Sequence, residues 1–213
     1  MGLKINEIFY SLQGESSYAG IPCVFIRLSG CNLRCSYCDT RYAYEEGEEG
    51  SIPEILEEVK KFKCKLVEVT GGEPLLQAET PLLVEALLSK GYRVLVETNG
   101  SMDIDLVSRK CVRIMDIKCP SSGMSHANRF ENLDRLSPLD ELKFVIGDRE
   151  DFEYAKRLIE ERDLKREGKI HFAPVFGKLK PSELASWILE NHLPVRLQLQ
   201  IHKIIWSPEK RGV

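Results

Sequence analysis

The chain has 213 residues, 30 of them basic and 33 acidic, for a formal charge of −3. That length can bury a core without disulfide staples, and the near balance of charge gives no general pull toward nucleic acid or an anionic membrane. No apolar run reaches the roughly 18 residues of a membrane span. The opening Met1-Gly2-Leu3-Lys4-Ile5-Asn6-Glu7 has no basic cap leading into an apolar stretch, so the sequence predicts no signal peptide, a cytoplasmic location and one domain over 1–213.

An extended piece over Lys4–Ser11 comes first. Short β-branched runs then predict strands at Cys23–Leu28, Leu66–Thr70, Arg93–Thr98, Val112–Ile117, Glu141–Ile146, Lys169–Pro174 and Val195–Ile201. Helices fall between most of them. Ser51-Ile52-Pro53-Glu54 reads as a capping box with proline just inside the start, and Ile52, Ile55, Leu56, Val59 and Phe62 share one helical face. Leu82, Leu83, Ala86 and Leu87 repeat the pattern in a helix that Gly91 ends. Asp151–Arg162 and Pro181–Glu190 complete the helices, while 101–109 is too short and mixed to assign. The acidic stretch from Tyr44 to Gly50 reads as a mobile loop. Alternating strands and helices imply a parallel sheet with crossover helices, either doubly wound or an incomplete (β/α) barrel. A full barrel needs about 250 residues, and both folds place the active site beyond the carboxyl ends of the strands.

Seven cysteines, an odd number, argue against a disulfide framework. Cys23, Cys64 and Cys111 lie in apolar or strand-like sequence and read as core filler. Cys31, Cys35 and Cys38 crowd into a polar loop where the first β-branched strand ends, with Cys-x3-Cys-x2-Cys spacing. Three thiolates can hold three corners of an iron–sulfur cube and leave one iron open to an exogenous molecule. That outweighs a zinc site completed from a distance, a redox dithiol that needs only two cysteines, or three buried thiols brought together by chance. His126, His171, His192 and His202 lack metal-ligand spacing and read as structural or exposed.

The cysteine spacing, with Tyr37 before the last cysteine, resembles the radical S-adenosylmethionine superfamily. So does Val69-Thr70-Gly71-Gly72-Glu73-Pro74 at the end of a strand. That resemblance implies a 4Fe-4S cluster and S-adenosylmethionine, which yield a 5′-deoxyadenosyl radical that abstracts hydrogen from the substrate. It also implies an incomplete barrel of the radical S-adenosylmethionine type, with cluster and active site at the C-terminal ends of the strands. Ser36, Tyr37, Asp39, Gly72 and Glu73 would hold the cofactor, Glu73 as an anchor for its amino group.

Three further segments are similar to the 7-carboxy-7-deazaguanine synthase family within that superfamily: Ser11-Leu12-Gln13-Gly14-Glu15, Cys38-Asp39-Thr40, and Asp116-Ile117-Lys118-Cys119-Pro120-Ser121. The resemblance covers nearly the whole chain. It implies a carbon–nitrogen lyase that converts 6-carboxytetrahydropterin to 7-carboxy-7-deazaguanine with loss of ammonia, on the way to deazapurine tRNA bases such as queuosine and archaeosine. Leu12, Gln13, Gly14 and Thr70 would bind the pterin and Arg27 its carboxylate, a planar fork that lysine does not reproduce. Thr40 would bind Mg2+. Cys119, Ser121, Ala173, Pro174, Val175 and Phe176 would line the S-adenosylmethionine site. The implied partners are the small-molecule pterin, a flavodoxin or ferredoxin as low-potential electron donor, and a second copy in a homodimer, with no nucleic acid or membrane contact. The competing readings are a glycyl-radical-enzyme activase of the same superfamily, an iron–sulfur electron-transfer protein and a zinc-stabilised binding module. Glu97-Thr98-Asn99-Gly100 reads as a polar strand end directed into the site. The sequence leaves open whether the segment from Ile204 to Val213 closes over substrate.

Overall fold

Side chains in a strand point alternately to opposite faces, and here the two phases carry different chemistry. The structure is a computed structural model that describes residues 2–164 and 168–213. Its strands are β1 (Leu3–Leu12), β2 (Pro22–Leu28), β3 (Glu48–Gly50), β4 (Leu66–Gly71), β5 (Arg93–Thr98), β6 (Val112–Ile117), β7 (Glu141–Ile146), β8 (Ile170–Pro174) and β9 (Arg196–Leu197). They form one sheet in the order β3-β1-β2-β4-β5-β6-β7-β8-β9. From β2 to β9 every neighbouring pair is parallel, and β1 and β3 add antiparallel at one edge. The two edges do not pair, so the barrel is incomplete.

The outward phase is apolar except at Arg113 of β6, which is buried in an ion pair with Asp140. Val24, Ile26 and Leu28 of β2, Val67 and Val69 of β4, and Val94 and Val96 of β5 are buried in one cluster with Ile55, Val59, Leu83 and Leu87. Those last four belong to α1 (Ile52–Lys61) and α2 (Thr80–Ser89). On the other half Leu142, Phe144 and Ile146 of β7 and Phe172 of β8 pack against Phe152, Leu158, Leu184 and Ile188, carried by α3 (Arg149–Glu161) and α4 (Pro181–Glu190). On the inward phase Cys23, Phe25, Leu66, Leu95, Val112 and Ile114 form an apolar floor toward the amino ends of β2, β4, β5 and β6. Above that floor the same phase turns polar: Arg27, Glu68, Thr70, Glu97, Asp116 and Lys143.

The capping box at Ser51 and Glu54 is formed, with Glu54 Oε2 accepting the Ser51 N–H at 2.8 Å. Gly91 ends α2 at a φ of +76°, a conformation that favours glycine. Three expectations need correction. The acidic loop contains β3, which pairs with the start of β1 (Leu3 opposite Gly50) and covers that edge. The strand expected over Val195–Ile201 is only Arg196–Leu197, and the chain turns at Gln200 into a short helix, α5 (Ile201–Ile205). The connections from β5 to β7 carry short 3-10 turns rather than crossover helices. The extended piece at the start is β1, and it runs antiparallel to β2. No helix among the described residues is long and apolar enough to cross a membrane.

Candidate active site

A cavity of about 520 Å³ opens at the carboxyl ends of the strands. Gly30 N–H bonds to Ala43 O at 2.8 Å and so closes the base of the cysteine loop. Arg34 caps the loop's own carbonyls, donating to Cys31 O and Leu33 O at 2.8 Å each, and Arg41 donates to Ser36 O at 2.7 Å. Cys31, Cys35 and Cys38 all line the cavity. Burial raises the Cys31 and Cys35 thiols, and Lys118 partly offsets this. Cys23, Cys64, Cys111 and Cys119 stay outside the lining. Three soft donors therefore converge with no fourth cysteine, and among the described residues no three His, Cys, Asp or Glu side chains close on one ion. That donor set fits an iron–sulfur cube with an open iron better than a four-ligand zinc site.

The strand after the cysteine loop is fitted tightly against it. Glu73 N–H bonds to Gly30 O at 2.8 Å, and Gly72 packs on the Gly30 carbonyl and Cys31. Glu73 itself departs from expectation. Its fully buried carboxylate accepts from Leu75 N at 2.9 Å, Thr98 Oγ1 at 2.8 Å and Asn99 N at 2.7 Å, and it does not line the cavity. It ties the ends of β4 and β5 together instead of presenting a free anchor. Asn99 follows with Nδ2 on Asn32 Oδ1 at 3.1 Å and near Cys31 Sγ at 3.9 Å.

Leu12, Gln13, Gly14, Arg27, Tyr37, Asp39, Thr40, Thr70, Gly72 and Ala173 to Phe176 all line the same cavity. Ser36, Cys119 and Ser121 do not. The Ser36 hydroxyl donates to Ser121 O at 2.7 Å, and the Ser121 hydroxyl bonds Asp151 of α3, so both brace the wall. Cys119 is fully buried. Arg27 gives Nε to Glu7 Oε1 at 2.8 Å, and no group among the described residues bonds its two terminal nitrogens. Thr40 donates to Asp39 Oδ1 at 3.0 Å. Burial alone would raise the Asp39 carboxyl, but Lys203 at 2.6 Å and the Thr40 bond hold it well below the usual carboxylate range.

Sequence reasoning missed a charged group on the cavity floor. Lys143 is buried between Glu15 and Glu97, with Nζ 2.8 Å from Glu97 Oε1. Glu68 accepts from Gln13 Nε2, and Lys118 pairs with Asp116 at 2.8 Å. The signal was charge inside otherwise apolar strands: Glu68, Glu97, Asp116 and Lys143 share the inward phase, whereas Arg113 of β6 faces outward. His202 also needs correction. It faces the cavity from α5, so close to Gly14 that a Cβ there would meet the imidazole at 2.0 Å. Pro208 and Val213 line the cavity as well, and Arg211 lies 3.7 Å from the Tyr42 ring centroid and 3.1 Å from Glu46. The final segment thus folds over the mouth.

Comparison with known proteins decides the family. A model of the Radical SAM superfamily matches residues 25–115. A protein of Koribacter versatilis named 7-carboxy-7-deazaguanine synthase is 47% identical over 99% of this chain and 100% of its own. The chain belongs to the 7-carboxy-7-deazaguanine synthase family. A second member, from Chlorobaculum tepidum, is 48% identical over 99% of this chain and 97% of its own. The crystal structure of QueE from Escherichia coli superposes with a TM-score of 0.75 over 93% of this chain and 94% of that one, at 23% identity, and so shares the incomplete-barrel fold. Membership in this radical S-adenosylmethionine family brings with it the 4Fe-4S cluster and S-adenosylmethionine, which the three-thiol donor set accommodates.

Proposed function

We propose that the chain is a 7-carboxy-7-deazaguanine synthase, acting on 6-carboxytetrahydropterin with loss of ammonia. The observation that carries this reading is full-length identity near one half to proteins of that name, in a chain whose three thiols share one cavity with Gln13, Gly14 and Arg27.

The cluster and S-adenosylmethionine supply the one-electron chemistry that abstracts hydrogen from a carbon. Cys31, Cys35 and Cys38 hold the cluster. Tyr37, Asp39, Gly72 and the stretch Ala173 to Phe176 embrace S-adenosylmethionine, supported by their common place in the cavity wall. Ser36, Cys119, Ser121 and Glu73 contribute through the backbone they fix. Arg27 receives the pterin carboxylate on its terminal nitrogens, since Glu7 already takes Nε and sets the plane of the fork. Leu12, Gln13, Gly14 and Thr70 seat the heterocycle. Mg2+ is held at Thr40, whose hydroxyl beside the Asp39 carboxylate offers the hard oxygen that ion prefers. A flavodoxin- or ferredoxin-type donor, a homodimer and a cytoplasmic setting rest on the family resemblance. One domain over 1–213 rests on the single continuous sheet.

The test is anaerobic. Reconstituted protein is incubated with 6-carboxytetrahydropterin, S-adenosylmethionine, Mg2+ and reductant, and the expected result is 7-carboxy-7-deazaguanine with equimolar ammonia. Absence of product, or a reduced-cluster resonance unmoved by S-adenosylmethionine, overturns the reading.

A further inference from the structure

Glu68 lies on the cavity floor, on β4 two residues before Thr70 and opposite Phe25 of β2. It is 2% exposed, which is a severe environment for a carboxyl group. One of its oxygens is committed: Gln13 Nε2 donates to Oε2. The Gln13 amide is fixed from its other end, because Gln13 Oε1 accepts the Glu15 N–H at 2.9 Å. That fixes which Gln13 atom faces Glu68. No group among the described residues bonds Glu68 Oε1, and the residue borders the open cavity.

The charges around it are unevenly shared. Lys143 Nζ serves both Glu15, at 2.5 Å, and Glu97, at 2.8 Å. Of the other cations lining the cavity, Arg27 gives Nε to Glu7, Lys118 pairs with Asp116 and Lys203 with Asp39. Two carboxylates thus share one ammonium, and a third negative charge at Glu68 would have no cation of its own. Burial, then the charges of Glu97 and Glu15, push the Glu68 carboxyl well above its ordinary value, and Lys143 and Arg27 do not offset them.

We propose that Glu68 reads the substrate: Gln13 fixes Oε2, and Oε1 carries a hydrogen that it donates to an acceptor atom of the heterocycle seated on the floor. This deepens the proposed function and rests on it. The tetrahydropterin offers such acceptors in its lactam oxygen and the unprotonated pyrimidine nitrogen N1, and a site built to donate there rejects a heterocycle that presents an N–H instead. The Glu68 side chain is then a specificity determinant, separate from the Arg27 contact to the carboxylate.

The experiment compares Glu68→Gln and Glu68→Met in reconstituted enzyme, with iron content and the S-adenosylmethionine-dependent resonance measured alongside turnover. Glutamine can still accept from Gln13 and donate into the cavity, so its KM for 6-carboxytetrahydropterin stays within about threefold of wild type. Methionine fills the space without a donor, and its KM rises about ten- to a hundredfold with iron retained. A glutamine variant as impaired as methionine overturns the proposal, since the group then acts as an ionised acceptor. A glutamine variant that loses kcat with KM unchanged overturns it too, in favour of proton transfer. Wild-type KM in the methionine variant removes Glu68 from contact altogether. Failure of the wild-type enzyme to convert the pterin overturns the parent reading, and this one with it, whereas the variant patterns bear on Glu68 alone.

Discussion

Lys203 of α5 places its ammonium 2.6 Å from the carboxylate of Asp39, the residue directly after Cys38 and 164 positions earlier in the chain. The same ammonium bonds Gln200 Oε1 at 2.8 Å and lies over the Phe176 ring at 5.3 Å. The cysteine loop, the loop after β8 and the last helix thus meet at one charge. A second bond, Ile201 N–H to Gly14 O at 3.1 Å, ties α5 to the loop after β1.

Removing that ammonium loosens the cover without touching the core. Lys203→Ala is expected to raise KM for substrate or S-adenosylmethionine about two- to fivefold, since the Asp39 side of the pair is half exposed and such pairs contribute less than about 1 kcal/mol. The melting temperature stays within a few degrees of wild type. Steady-state kinetics beside a thermal melt checks this, and a large loss of stability at unchanged KM would contradict it.

A different anchor holds the loop after β1 from below. Glu141 on β7 is fully buried, accepts from the Ser17 N–H at 3.0 Å and from its hydroxyl, and lies 2.8 Å from His171 Nε2 on β8. Burial would raise the Glu141 carboxyl, but the adjacent His171 imidazole and the Ser17 bonds outweigh it and lower the value. A carboxylate lowered on folding stabilises the fold at pH values above its unfolded pKa, and that contribution is lost as pH falls through the folded value. Glu141→Gln should therefore cost roughly 1–3 kcal/mol at neutral pH. The gap to wild type should close only below about pH 4. Denaturant melts of both proteins across pH measure it, and a gap that narrows as pH rises from neutral would be the wrong sign.

What could be read from the sequence was whatever depends on neighbours along the chain. The cysteine spacing, the Ser51 capping box and the β-branched runs are local, and all but the run over Val195–Ile201 fall where the structure has them. Lys143 and Glu68 escaped notice because each is a charge inside a strand whose function depends on the other strands that face it, whereas Glu97 was legible at a polar strand end. The parallel register sets Asp116 beside Lys143 and Arg27 beside Thr70. Only that register, which is fixed by packing of the outward phase, turns scattered charges into a floor. β3 was misread for a related reason, since its three residues are strand-like only through pairing with β1. The short helix at Ile201 has no capping side chain and little burial of its own. Its contacts to Gly14 and Asp39 hold it.

Thiol reactivity should divide the seven cysteines by burial. Cys23, Cys111 and Cys119 are buried, while Cys31, Cys35, Cys38 and Cys64 are partly exposed. Burial pushes the Cys111 thiol up to about 12 and also raises the Cys23 and Cys119 thiols. In cluster-free native protein a thiol reagent at neutral pH is expected to modify the four exposed cysteines first and the other three only on unfolding. Cluster loading then protects three of the four and leaves Cys64. Cys35→Ala should lose iron almost completely while keeping the slow thiols slow. Iron retained at wild-type levels in that variant would remove Cys35 from the donor set.

Gly72 gives the sharpest separation between fold and cluster. Its backbone φ is not in the left-handed region, so an alanine there meets no conformational penalty of its own. The obstacle is space. A Cβ at this position would lie 2.2 Å from the Gly30 carbonyl oxygen and 2.7 Å from Cys31 Cβ, and neither can turn aside as a long side chain would. Relief has to come from moving the start of the cysteine loop, which is held at Gly30 by the Ala43 carbonyl and by Glu73 N–H. Gly72→Ala is therefore expected to shift Cys31 relative to Cys35 and Cys38, lowering iron content several-fold and S-adenosylmethionine binding with it. Far-ultraviolet circular dichroism should be unchanged, because neither apolar outer layer includes Gly72. Full iron loading together with wild-type S-adenosylmethionine affinity would show that the loop yields freely at that contact.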